Sequence, residues 1–130
     1  MELSTKLYIL DDSGKKFMGA GVLWLLENIR ETGSLLAASE KMGLSYSKAR
    51  SMIDHLEEST GHAMVERHKG GADRKGAVLT EYAERYILLY SRFQKDAKAD
   101  ADERFREYLK ELAKLEAEYE RQDNGYDTTV

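Results

Sequence analysis

From Ala77 to Asn124 the chain runs without a glycine, and it contains no proline anywhere, so nothing in this stretch interrupts a helix. Thr80 supplies a hydroxyl suited to capping such a helix at its start. Forty residues of α-helix measure about 60 Å, more than the width of a small domain. Much of the helix must therefore pack on something other than its own core. The 130 residues leave room for one compact domain plus this extension, and not for two full domains.

Upstream, glycines punctuate the chain and the intervals between them carry coherent patterns. Leu3 to Leu10 is rich in β-formers, Asp11-Asp12-Ser13-Gly14 reads as a turn, and Lys15 to Met18 follows, predicting a β-hairpin over residues 3–18. Val22, Leu25, Leu26 and Ile29 recur at helical spacing, and Thr32-Gly33 ends that helix. Ser34 caps a short second helix with Leu35, Ala38 and Met42 inward, which Gly43 stops. Ser45 caps a third, with Ala49, Met52, Ile53 and Leu56 inward, and Gly61 closes it. Met64 to His68 and Ala77 to Leu79 are short strands around the loop Lys69 to Gly76, which makes a β-wing.

The expected fold is mainly α with small β elements: a winged helix-turn-helix with an N-terminal β-hairpin and a long C-terminal dimerisation helix. Its parts are a domain over residues 1–93, with the helix-turn-helix at 34–60 and the wing at 64–79, a helical extension at 94–121, and a flexible tail at 122–130.

Residues 35–54 meet the geometric needs of two crossing helices, with small Ala38 and Ser39 at the crossing and Gly43 at the turn. What the third helix leaves outward at its start is polar: Ser45, Tyr46, Ser47, Lys48, Arg50 and Ser51. A recognition helix presents its N-terminal residues to base edges, and Arg50 suits bidentate contact with guanine. Ser34 at the start of the second helix joins the expected contact set, as do Arg67, His68, Lys69, Arg74 and Lys75 in the wing, where cationic side chains can follow phosphates.

A net charge of −4 is at first sight wrong for a chain that approaches phosphates. The distribution resolves this. Residues 34–80 hold seven Lys and Arg against six acids, +1, whereas residues 94–130 hold seven against eleven, −4. The acidity belongs to the end of the chain.

Along the long helix Phe105, Tyr108, Leu112, Leu115 and Tyr119 alternate spacings of three and four, as the seam of a coiled coil does, and Tyr86, Tyr90, Phe93 and Ala97 continue the apolar stripe upstream. A homodimer seam is the expected role of the distal half.

Other chemistries find little support. The chain has no cysteine, which removes disulfides, thiolate metal sites and cysteine nucleophiles. His55, His62 and His68 match no common ligand spacing. Gly71 to Gly76 has the glycine spacing of a P-loop, but Ala77-Val78 stands where Lys-Ser or Lys-Thr is needed. Gly43 to Ser47 ends in serine where a nucleophile elbow needs glycine, and Ser45 is better read as a cap. No enzyme activity, metal or cofactor is expected. The N-terminus shows no targeting pattern and no apolar run is long enough to span a membrane, so a cytoplasmic, nucleoid-associated protein is expected.

The stretch from Gly33-Ser34 through Met42-Gly43-Leu44-Ser45-Tyr46, with Glu66-Arg67 ahead of Gly70-Gly71 and Ala77-Val78-Leu79-Thr80 leading into the last helix, closely resembles the DNA-binding domain of ModE-type molybdate-responsive regulators, itself similar to the LysR-type domain. The resemblance covers roughly residues 20–93. It implies a dimeric winged helix-turn-helix that regulates transcription on double-stranded DNA, with Ser45 to Ser51 and the wing against the duplex. Such regulators carry a molybdate-binding region after this domain. Here a charged helix and a short tail follow instead, so no molybdate sensor, and no identifiable small-molecule effector, is expected within this sequence. The second reading is a winged-helix adaptor that partners a separate sensor or regulator, since fold alone does not fix function.

Overall fold

The computed structural model describes residues 1–66 and 77–128, with side chains to Gln122. The element order is β1 (Ile9–Leu10), β2 (Lys16–Met18), α1 (Ala20–Thr32), α2 (Leu35–Lys41), α3 (Tyr46–Thr60), β3 (Val65–Glu66), β4 (Val78–Leu79) and α4 (Glu81–Thr128). Two compact units are distinguished: Lys6–Phe93, and Met1–Thr5 together with the chain from Gln94 onward.

β1 and β2 pair antiparallel, Ile9 opposite Met18 and Leu10 opposite Lys16. Their turn is organised by one side chain. The Asp11 carboxylate accepts hydrogen bonds from the Ser13 amide (2.9 Å), the Ser13 hydroxyl (2.6 Å) and the Lys15 amide (2.9 Å). The first strand is much shorter than the Leu3–Leu10 span expected from composition, because only Ile9 and Leu10 pair. Its partner stops at Met18 and α1 starts at Ala20, so residues before Ile9 face no second strand with which to exchange backbone hydrogen bonds.

α1 begins two residues before Val22 and buries Leu23, Leu25, Leu26 and Ile29. The Ser34 hydroxyl accepts from the Ala37 amide (3.1 Å) to cap α2, and the Ser45 hydroxyl accepts from the Lys48 amide (3.0 Å) to cap α3. Between them Gly43 takes φ 68°, a left-handed conformation that costs an L-residue about 1–2 kcal/mol. The same corner is closed by the Leu44 amide donating to the Ser39 carbonyl at 2.9 Å. Ala38, Ser39 and Ala49 are buried, and their small side chains let α2 and α3 approach closely. Ile53 and Leu56 then continue the buried side of α3 into the core formed with α1.

β3 and β4 pair antiparallel with Val65 opposite Leu79 and Glu66 opposite Val78. The Glu57 carboxylate ties the end of α3 to this ribbon by accepting from the Met64 amide at 2.7 Å. The expected wing loop, with Arg67, His68, Lys69, Arg74 and Lys75, lies outside the described residues.

Thr80 serves two elements at once. Its hydroxyl accepts from the Ala83 amide (3.0 Å), capping α4, and donates to the Ala63 carbonyl (2.7 Å). In the first turns of α4, Ala83, Ile87 and Tyr90 are buried, and the Tyr90 hydroxyl donates to the Leu7 carbonyl at 3.3 Å. The Arg30 guanidinium donates to both oxygens of Glu84, at 2.9 and 2.6 Å, fastening α1 to α4. The helix continues to Thr128, into the stretch expected as tail. Gly125 falls inside it, since one glycine costs a helix only about 1 kcal/mol relative to alanine. Among the described residues no helix is long and apolar enough to cross a membrane.

Candidate nucleic-acid interface

α3 is amphipathic. Ala49, Ile53 and Leu56 face the core, while Ser45, Ser47, Lys48 and Ser51 are exposed and Tyr46 and Arg50 are half-buried. All six residues expected at the start of the third helix thus lie on one element, its cap and first two turns, with hydroxyl and cationic groups outward. The Ser45 cap takes up the Lys48 amide, one of the open donors of the first turn of α3.

Arg50 has local partners. Its Nη1 donates to the Tyr46 hydroxyl (3.1 Å), and its Nε lies 3.4 Å from Asp54 Oδ1, one turn further along the same helix. The guanidinium therefore leans on its own helix in the free protein. To fork onto a guanine it must exchange these half-exposed contacts, an ion pair of a class worth about 0–1 kcal/mol.

Ser34 sits at the start of α2 as its cap, as expected. Its side chain is buried, at 6% exposure, and its hydroxyl is committed to the α2 cap. The oxygen accepts from the Ala37 amide in that role, and a hydroxyl that accepts can also donate, so the cap and a phosphate contact are chemically compatible.

The hairpin brings further groups to α3. His55, on the flank of the helix, lies 2.9 Å from the Asp11 carboxylate, and its ring meets Phe17 edge-on at 6.3 Å. Hydrogen bonds from Ser13 above all, then from Lys15 and His55, hold the Asp11 carboxyl well below the usual carboxylate range. Lys15 lines a concavity with Tyr46, Ser47, Arg50, Ser51 and Asp54. Lys16 lines another with Lys48 and Met52, its ammonium 4.3 Å from the centre of the Tyr8 ring. Neither lysine stood out in the sequence, because adjacent lysines after a turn look like any solvated loop.

His62 stacks on Tyr82 with centroids 4.1 Å apart. Among the described residues no group of three or more His, Asp or Glu side chains is arranged to hold a metal ion.

On the distal part of α4, Phe105 and Leu112 are half-buried, while Tyr108, Leu115 and Tyr119 stand 55, 48 and 58% exposed. Phe105 and Tyr108 stack at 5.9 Å. In the first unit of α4 the apolar side chains divide. Tyr90 is buried and Tyr86 half-buried, with burial the main cause that pushes the Tyr86 phenol up to about 12. Leu88, Leu89 and Phe93 are exposed, as is Trp24 on α1. Of these four, the expected stripe contained only Phe93; the run Ile87-Leu88-Leu89, too apolar for one helical face, was the signal for Leu88 and Leu89.

Comparison with known proteins places this geometry. Residues 22–84 match the family described as bacterial regulatory helix-turn-helix protein, lysR family. Over 66 residues, 51% of this chain and 25% of the relative, the sequence is 39% identical to the DNA-binding transcriptional dual regulator ModE of Escherichia coli K12. It is 35% identical over 82 residues to the molybdenum-pterin-binding protein MopB of Rhodobacter capsulatus, covering 63% of this chain and 30% of that one. The chain thus spans about a quarter to a third of the length of these curated relatives. The fold is also that of the crystal structure of a CbnR_DBD–DNA complex (TM-score 0.52, 21% identity, 65% of this chain and 92% of that one). CbnR itself, a LysR family transcriptional regulator, superimposes with a TM-score of 0.50 at 21% identity, over 65% of this chain and 28% of that one.

Proposed function

We propose, on the premise that residues 22–84 belong to the lysR-type family of bacterial regulatory helix-turn-helix proteins, that this chain is a sequence-specific DNA-binding transcriptional regulator acting as a homodimer. One observation carries the reading: the capped α3 turns a row of hydroxyl and cationic groups outward while its other side is locked in the core. That is the arrangement by which a helix enters a major groove with base-reading groups at its N-terminal end. Ser45, Tyr46, Ser47, Lys48, Arg50 and Ser51 are the proposed contact set, with Arg50 the reader of guanine. On sequence grounds the wing cations add phosphate contacts.

The homodimer rests on the distal apolar stripe of α4, Phe105, Tyr108, Leu112, Leu115 and Tyr119. A second copy would cover this stripe, of which Tyr108, Leu115 and Tyr119 are exposed, at the spacing of a coiled-coil seam. Two recognition helices would then read half-sites about 34 Å apart.

The decisive experiment is selection of bound duplexes from a random pool, followed by affinity measurement on the enriched sequence and on a scrambled one. Enrichment of a two-fold symmetric site, bound at least about a thousand-fold more tightly than the scrambled duplex, is expected. Failure to retain any duplex at low salt would overturn the reading in favour of an adaptor that binds a separate protein.

A further inference from the structure

We infer that the N-terminal hairpin is a second DNA-contacting element, which uses Lys15 and Lys16 to hold backbone phosphates on either flank of α3. This rests on the proposed DNA-binding role of α3 and extends it to residues lying before the lysR-type match at 22–84.

Lys16 opens β2 and Lys15 immediately precedes it, and the two line different concavities. Lys15 lines the concavity of Ser47, Arg50 and Ser51, and Lys16 that of Lys48. His55 on α3, which itself lines the Lys15 concavity, is the residue to which the hairpin is fastened. The Asp11 carboxylate joins the His55 ring at 2.9 Å and the Lys15 amide at 2.9 Å, so the backbone that carries the lysines is keyed directly to the recognition helix. Both lysines are exposed. The acids Asp54 and Glu58 also line the Lys15 concavity, but toward the C-terminal part of α3. The cationic part is thereby confined to the N-terminal turns, where base reading takes place, and a ligand that runs past both flanks of that end while presenting regularly spaced anions is the sugar–phosphate backbone of a duplex.

Each phosphate neutralised contributes about −0.9 to the slope of log K against log salt. The test measures binding of the full chain to a random-sequence duplex by fluorescence anisotropy across a salt series, for the natural protein, for the double variant Lys15→Gln/Lys16→Gln, and for the control Lys110→Gln/Lys114→Gln, which removes the same charge from distal α4. The hairpin variant is expected to lose about 1.8 from the slope per protomer, with the control unchanged and both melting as the natural protein does. If the natural protein binds and the hairpin variant keeps its full slope, the hairpin is not a contact element, although the role of α3 stands. Equal losses in both variants would also overturn the inference, reducing it to an effect of net charge. Absence of binding by the natural protein would overturn this inference and the proposed function together.

Discussion

The imidazole of His55 stands 2.9 Å from the carboxylate of Asp11, 44 residues earlier in the chain, and by that contact the hairpin turn is fixed to α3. Four donors from three residues, Ser13, Lys15 and His55, hold the Asp11 carboxyl below its ordinary value of 3.8. The folded chain accordingly takes up that proton less readily than the unfolded chain. The stabilising contribution is complete above pH 3.8 and disappears as the pH falls below it toward the depressed folded value. Asp11→Asn should lower the melting temperature near neutrality, and the gap to the natural protein should close as the pH drops below that value. Thermal melts followed by circular dichroism across the acid range check this; a gap independent of pH would contradict it.

Arg50 and Asp54, one turn apart on α3, yield a prediction with two opposite signs. Arg50→Ala should cost about 1–3 kcal/mol on the selected site and flatten discrimination at particular bases. Asp54→Asn removes the ionic partner of the Arg50 Nε and takes an anion off the helix proposed to approach phosphates, so it should raise affinity for all duplexes. Affinity for a panel of single-base operator variants separates the two effects. Equal losses on every duplex for Arg50→Ala would show that it holds phosphate and not base.

Replacing Arg74 and Lys75 together with glutamine should weaken binding to specific and random duplexes alike, and should reduce the salt slope by about 1.8 per protomer. An unaltered slope would remove the wing from the contact set.

Leu112→Asp places a carboxylate in the middle of the distal apolar stripe. Monomers should result, seen as a halved mass in light scattering, together with loss of binding to the two-fold site and retention of weak binding to single half-sites. A variant that stays dimeric would move the interface elsewhere, with the exposed Leu88, Leu89 and Phe93 the next residues to substitute.

The parts of this molecule that could be read from the sequence are those decided within a few residues. Ser34, Ser45 and Thr80 cap helices because a hydroxyl three positions ahead of an open amide is a local device, and Gly43 turns the chain for an equally local reason. Relations between distant residues were not legible. Nothing near His55 announces Asp11, and nothing near Arg30 announces Glu84, 54 positions away. The length of β1 depended on where its partner ended, a property of β2 and α1 rather than of Leu3 to Leu10. Ser34 shows how one residue type carries two readings: the hydroxyl that caps a helix by accepting is chemically able to donate to a phosphate, and its degree of burial was not legible in the sequence. The contact of Arg50 with Asp54 was in principle visible, since residues four apart on a helix are neighbours.

Thr80 joins the root of the β3–β4 ribbon to the first turn of α4 through one oxygen, and its amide adds a bond to the Met64 carbonyl at 2.9 Å. That oxygen works as a hinge pin. A methyl in its place, as in the nearly isosteric Thr80→Val, would remove the α4 cap and the tie to Ala63 together, leaving the backbone bond to Met64 as the remaining link at this point. One side chain thereby sets both where α4 begins and how the root of the ribbon is held beside it.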